Sequence, residues 1–113
     1  LQIHGTNGGT IAYNGDNIAG NAYPSAHDTV AQWAEYNGCE AQANERELRD
    51  LVANLEGHES SVEVFNQGCK TGGSSELWTI SDGSHVPSFS DSFAAQVVEW
   101  LLAHPKSYGS FAD

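Results

Sequence analysis

The order of apolar and polar positions along the chain predicts alternating strands and helices. Leu1-Gln2-Ile3-His4 alternates and stops at Gly5, as a strand does. Residues 5–23 are rich in Gly, Asn and Thr and read as a loop. Tyr23-Pro24-Ser25 opens a helix, with Ser25 as its cap and Asp28 at capping-box spacing. Val30, Trp33 and Ala34 share one face of it, and Gly38 is a natural stop. Residues 40–57 fit two patterns: Leu48, Leu51, Val52 and Leu55 have helical spacing, but the stretch can also run extended. Val62-Glu63-Val64-Phe65 and Glu76-Leu77-Trp78-Thr79-Ile80 read as strands, separated by a turn through Gly68, Gly72 and Gly73. The second strand runs into the polar turn Ser81-Asp82-Gly83-Ser84-His85. Asp91 or Ser92 starts a last helix with Phe93, Val97, Trp100 and Leu101 on one face, ended by Pro105.

Strands alternating with helices favour an α/β layered architecture. No internal repeat, low-complexity tract or domain boundary interrupts the 113 residues, so residues 1–113 read as one segment. The sequence holds no methionine, and its first strand begins abruptly. Both features suggest a piece of a longer protein and an inner first strand whose neighbours are partly elsewhere.

Composition narrows the partners. Four Lys and Arg stand against 15 Asp and Glu, a net charge of −11. Such a chain repels a phosphate backbone and an anionic membrane surface, so neither nucleic acid nor membrane is an expected partner. No apolar run approaches the ~18 residues of a membrane span. Cys39 and Cys69 each follow a glycine. Two cysteines alone are too few for a structural zinc site. They read as a disulfide in an oxidising compartment, or else as two unrelated buried thiols.

In open α/β sheets, function gathers at the carboxyl ends of the strands. Two loops fit: His4-Gly5-Thr6-Asn7-Gly8-Gly9 and Asp82-Gly83-Ser84-His85. His85 follows a strand within a glycine-containing loop, a placement that exposes an imidazole while anchoring it, as a general base requires. His4 at a strand end reads as structural, and His27, His58 and His104 as solvated. Trp33 and Trp100 read as core, and Trp78 as core before cleft. Asn14-Gly15-Asp16-Asn17 offers one carboxylate, too few for a calcium loop, and reads as a plain turn. No cofactor and no metal are expected.

Three stretches, spanning nearly the whole chain in order, carry a resemblance: HGTNGGTIAYNG, WAEYNGC with QGC, and ELWTISDGSHVPSF leading into FAAQVVEWLLAHP. Together they resemble the secreted esterases that include polyhydroxybutyrate depolymerases and feruloyl esterases. The resemblance implies an α/β-hydrolase, of which this chain is the C-terminal portion of the sheet with flanking helices. It places the triad histidine at His85, pairs Cys39 with Cys69, and implies secretion or a periplasmic location. It also exposes two departures. The family's nucleophilic serine sits in a G-x-S-x-G elbow upstream, and no such motif occurs here; Ser74, in GGSSE, has the wrong context. The family's acid falls at Gly8, and glycine cannot orient an imidazole. Asp16 could replace it only if the loop folds back.

The leading expectation is therefore a fragment of a serine carboxylesterase acting on polyester or hydroxycinnamate-type esters, inactive alone. Its partners are an ester substrate, if complete, and a missing N-terminal half. The alternative is a stand-alone, non-catalytic oligomer, since an uncovered strand edge invites self-association.

Overall fold

The computed structural model describes residues 1–105, so residues 106–113 of the expected single segment lie outside the described part. The strand at the centre is the most deeply buried of the sheet. This strand, β6 (Ser75–Ile80), is buried at every position except half-buried Thr79. Strand β1 (Gln2–Gly5) pairs with it in parallel, Ile3 opposite Trp78 and His4 opposite Thr79. On the other side β5 (Ser60–Phe65) runs antiparallel, followed by β4 (Glu45–Arg49) at the far edge. The result is a mixed four-stranded sheet in the order β1-β6-β5-β4. A separate hairpin, β2 (Asp16–Ile18) with β3 (Asn21–Tyr23), lies in the segment read as a loop. Its three-residue strands carry no apolar alternation, which is why they left no pattern in the sequence.

Successive residues of β6 face opposite ways, and each face takes one helix. Leu77 packs with Phe65 against Ala26, Val30 and Ala34 of α1 (Ala26–Tyr36). Trp78 and Ile80 pack with Val62, Leu51 and Val52, against Phe93, Val97 and Trp100 of α2 (Phe93–Ala103). The protein is thus a small α/β domain, a mixed sheet with one helix on each face. The α1 start follows the sequence reading: Ser25 Oγ accepts the Asp28 N–H at 3.0 Å. Its end does too, with Gly38 at φ +72°. At the N-cap of α2, Ser92 makes no side-chain capping bond.

Buried polar bonds fix both helices to β6. Ser75 Oγ donates to the Val30 carbonyl of α1 at 2.8 Å. Glu76, only 5% exposed, accepts the Trp78 indole N–H at 2.7 Å and the Trp100 indole N–H of α2 at 2.6 Å. A buried carboxyl group is tolerated here because two indole donors meet its oxygens directly.

Of the two patterns that fit segment 40–57, the structure takes the extended one, with no helix. The chain there pairs as β4 with β5, which leaves Leu48 64% exposed, and then turns Leu51 and Val52 into the core, 0% and 2% exposed. The Leu51 and Val52 amides both donate to Glu59 Oε1, at 2.8 and 3.0 Å, so neither is free for a helical bond. Trp33 is 58% exposed, not core, because Ala26, Val30 and Ala34 alone fill the α1 contact. Leu101, expected inward, is 56% exposed, since α2 packs through Phe93, Val97 and Trp100. Within this chain β1 forms one edge of the sheet.

Glu59 makes stability depend on pH. Burial alone raises its carboxyl, but hydrogen bonds from the Ser60 hydroxyl and from the Leu51, Glu59 and Val52 amides outweigh burial and hold it below the usual carboxylate value. A depressed folded pKa contributes stability that is present above the unfolded value, near 4.5, and lost as pH falls through the folded one. The stability gap between the native chain and Glu59→Gln should therefore narrow below that pH. Chemical denaturation of both proteins across the acid range measures it, and parallel curves would remove Glu59 from the account.

Cys39 and Cys69 form a disulfide across 30 residues, joining the end of α1 to the β5–β6 turn. Closing this loop restricts the unfolded chain by about 3–4 kcal/mol in the entropy model. A Cys39→Ser/Cys69→Ser double variant should lose stability of that order in urea melts, and the native chain should titrate with no free thiol when denatured without reductant.

Candidate active site at the strand ends

The parallel pair β1 and β6 brings the two loops singled out in the sequence to the same end of the sheet. They are bonded to each other directly. Thr6 N–H donates to the Ile80 carbonyl at 3.0 Å and Asn7 N–H to the Gly83 carbonyl at 2.9 Å. The Asp82 N–H donates to Thr6 Oγ1 at 2.8 Å. Asp82 takes a left-handed conformation, φ +61°, which aspartate tolerates better than most residues. Neither Gly5 nor Gly83 has room for a side chain: a Cβ on Gly5 would lie 2.2 Å from the Gly83 carbonyl oxygen, and one on Gly83 2.6 Å from Ile80 Cγ2.

A cleft of about 300 Å³ opens beside these loops. Ile3, Ile11, Ile80, Pro87, Phe89 and Phe93 form its apolar walls, with Phe89 and Phe93 stacked at 3.7 Å. His4 and His85 both line it. Gly8 and Asp16 do not. The sequence reasoning missed the wall residues from the 86–93 segment and Ile11. Phe89 is placed by an isolated bridge of Phe89 to Val52, which no local pattern announces.

The two histidines are not equivalent. His4 is held: its Nε2 lies 3.0 Å from the Ile11 carbonyl, its Nδ1 3.4 Å from the Gln2 amide nitrogen. A carbonyl only accepts, so Nε2 carries the proton and Nδ1 takes the Gln2 donor. The ring also meets Tyr13 edge-on at 5.5 Å, and the Tyr13 hydroxyl lies 2.7 Å from Thr79 Oγ1. His4 thus closes the loop at residues 8–13 over the strand end. His85 is exposed, and its ring is bonded to none of the described residues. It is the unbonded imidazole at the cleft.

What surrounds His85 limits the chemistry. The cleft walls contain no serine, threonine or cysteine, and no carboxylate. Gly8 sits in the β1 loop, where a Cβ would be 2.9 Å from the Ile11 carbonyl and 3.6 Å from His4 Nε2. Asp16 begins the β2–β3 hairpin, exposed, with its Oδ1 accepting the Asn17 N–H.

The remaining candidates are placed as follows. Trp78 is fully buried, with Arg49 over its ring at 4.7 Å. His27 lies 3.7 Å from Glu63, and His104 stacks on Trp100 at 4.0 Å. Among the described residues no three His, Cys, Asp or Glu stand together as metal ligands, and no helix is long and apolar enough to cross a membrane.

Comparisons of the chain with protein-family models, with curated proteins and with solved structures found no match.

Proposed function

We propose that this chain is the C-terminal half of a secreted serine carboxylesterase of the α/β-hydrolase type, one that cleaves polyester or hydroxycinnamate-type esters. The observation that carries the reading is His85: an unbonded imidazole, one loop past β6, at an apolar cleft beside the parallel strand β1. In the complete enzyme a serine from the other half attacks the ester carbonyl. His85 takes the serine proton and returns it to the leaving alcohol. The apolar walls suit the uncharged acyl part of such an ester. The Cys39–Cys69 disulfide suits an oxidising compartment.

The absence of a nucleophile and of an acid from the cleft walls favours a second reading, a non-catalytic domain that works by association. The two readings separate in one assay. The chain is joined behind a segment that supplies a G-x-S-x-G serine, and p-nitrophenyl ester hydrolysis is followed with and without His85→Ala. Turnover that requires both serine and His85 supports the esterase; turnover in which His85→Ala changes nothing sinks it.

A further inference from the structure

Three asparagines are followed directly by glycine: Asn7-Gly8, Asn14-Gly15 and Asn37-Gly38. Glycine has no Cβ to keep its nitrogen away from the preceding side chain, so that nitrogen can reach the amide carbon. Closure of the five-membered imide needs both partners free. The side-chain amide must rotate, and the glycine N–H must leave any bond it makes. The fold treats the three pairs differently.

Asn37 is locked. Its side-chain amide donates to the Ser74 carbonyl at 2.9 Å, and its own carbonyl accepts the Lys70 N–H at 2.8 Å. The Gly38 N–H donates to the Glu35 carbonyl at 2.9 Å, and the next residue, Cys39, is in the disulfide. Asn14 is exposed, but its glycine is held. The Gly15 N–H donates to the Ala12 carbonyl at 3.1 Å, and its φ is +84°. A Cβ on Gly15 would lie 2.9 Å from both Ser25 N and Tyr23 O, so the backbone that leads into α1 lies against it. Asn7 differs from both. It is exposed, and among the described residues its side chain makes no bond. Its backbone N–H is held by the Gly83 carbonyl at 2.9 Å, which fixes the main chain and leaves the amide to rotate. The bond from the Gly8 N–H to the Gly5 carbonyl is 3.3 Å, the longest of the three glycine bonds and outside the usual range of about 2.7–3.2 Å. The backbone nearest to Gly8 is that of Gly5 and Ile11, in its own loop.

We infer that Asn7 is a site of spontaneous deamidation. The Gly8 nitrogen attacks Cγ of Asn7. The N–Cγ bond forms, the bond from Cγ to Nδ2 breaks, and the Gly8 proton leaves with the amide nitrogen as ammonia. Water then opens the imide at either carbonyl and gives aspartate or isoaspartate at position 7. The net change is amide plus water to carboxylate plus ammonia, with no oxidant or reductant. The loop of residues 4–13 otherwise holds no carboxylate. The new one stands beside Gly8, the position to which the resemblance assigns the esterase acid. The inference does not rest on the esterase reading, because peptide mass reports on Asn7 and ester hydrolysis on His85.

Ageing the native chain in mildly alkaline buffer, folded and in urea, tests it. Ammonia release and peptide sequencing by mass are the readouts. In the folded chain Asn7 should convert about tenfold or more faster than Asn37, since the bonds that hold Asn37 must open first. Asn14 should fall behind Asn7 as well. In urea, where the fold no longer sorts them, the three pairs should convert at comparable rates. Isomerisation at Asp82-Gly83 does not interfere, because it releases no ammonia and changes no mass. Asn7→Gln, at an exposed position, should leave the folded chain unmodified over the same period, and Asn14→Gln should leave conversion at Asn7 unchanged. A folded chain in which Asn7 converts no faster than Asn14 or Asn37, or a preference for Asn7 that is equally strong in urea, would overturn the inference.

Discussion

Gly5→Ala should unfold the strand-end platform and lower stability by about 3–5 kcal/mol. The added methyl would lie 2.2 Å from the Gly83 oxygen, 2.5 Å from its carbonyl carbon and 2.7 Å from the Ser84 oxygen. All three are backbone atoms, so no side chain can swing aside. The loops must part instead, and parting stretches the Thr6–Ile80, Asn7–Gly83 and Asp82–Thr6 bonds together. Each such bond contributes about 0.5–1.5 kcal/mol, and buried donors left without partners cost more. The effect does not come from backbone conformation, since Gly5 is not among the positive-φ glycines. Gly9→Ala is the matched control: a Cβ there meets nothing within 4 Å. Urea denaturation of the two variants beside the native chain provides the measurement. A Gly5→Ala loss no larger than that of Gly9→Ala would mean that the two loops are not in contact.

The parts of the fold readable from sequence are those where one local pattern agrees with the burial it receives. Ser25, Asp28, Val30 and Ala34 specify α1 by cap and periodicity, and β6 is marked by an apolar run bounded by turns. Where two patterns overlap, local reasoning has no basis for choice. Leu48, Leu51, Val52 and Leu55 are spaced for a helix, yet the deciding interactions come from β5 and from the Glu59 carboxylate, neither of which is local to the helical repeat. Trp33 and Leu101 show a related limit. Periodicity identifies a stripe but not its width, and small residues suffice to seat α1 while Trp100, bonded to Glu76, sets the rotation of α2. The site was legible in part. His85 and the β1 loop are strand-end features of the sequence, and the parallel pairing brings them together. The apolar cleft was not legible, because Phe89 and Ile11 reach it from irregular segments that only tertiary contacts position.

In ester hydrolysis the expected differences are far larger than those in stability. The chain alone should cleave short p-nitrophenyl esters no faster than free imidazole. It offers a base candidate in His85 but no elbow serine, and the oxyanion donors of such enzymes lie beside that serine and in an upstream loop. Joined to a half that supplies them, it should turn over, and His85→Ala should then remove on the order of 10⁴-fold or more in kcat, since triad members act as a unit. Gly8→Asp is the informative companion. In the isolated chain it should do nothing for activity. In the joined enzyme an acid there should raise kcat, by orienting His85, but only after a local rearrangement. The new Cβ would lie 2.9 Å from the Ile11 carbonyl, backbone again, and 3.6 Å from His4 Nε2. The turn at residues 8–11 must therefore shift, and the His4–Ile11 bond with it, so a stability loss of about 1–3 kcal/mol should accompany any gain in rate. A rate gain from Gly8→Asp that persists in the Gly8→Asp/His85→Ala double variant would show that the new carboxylate works through another group, and His85 would lose the role of base.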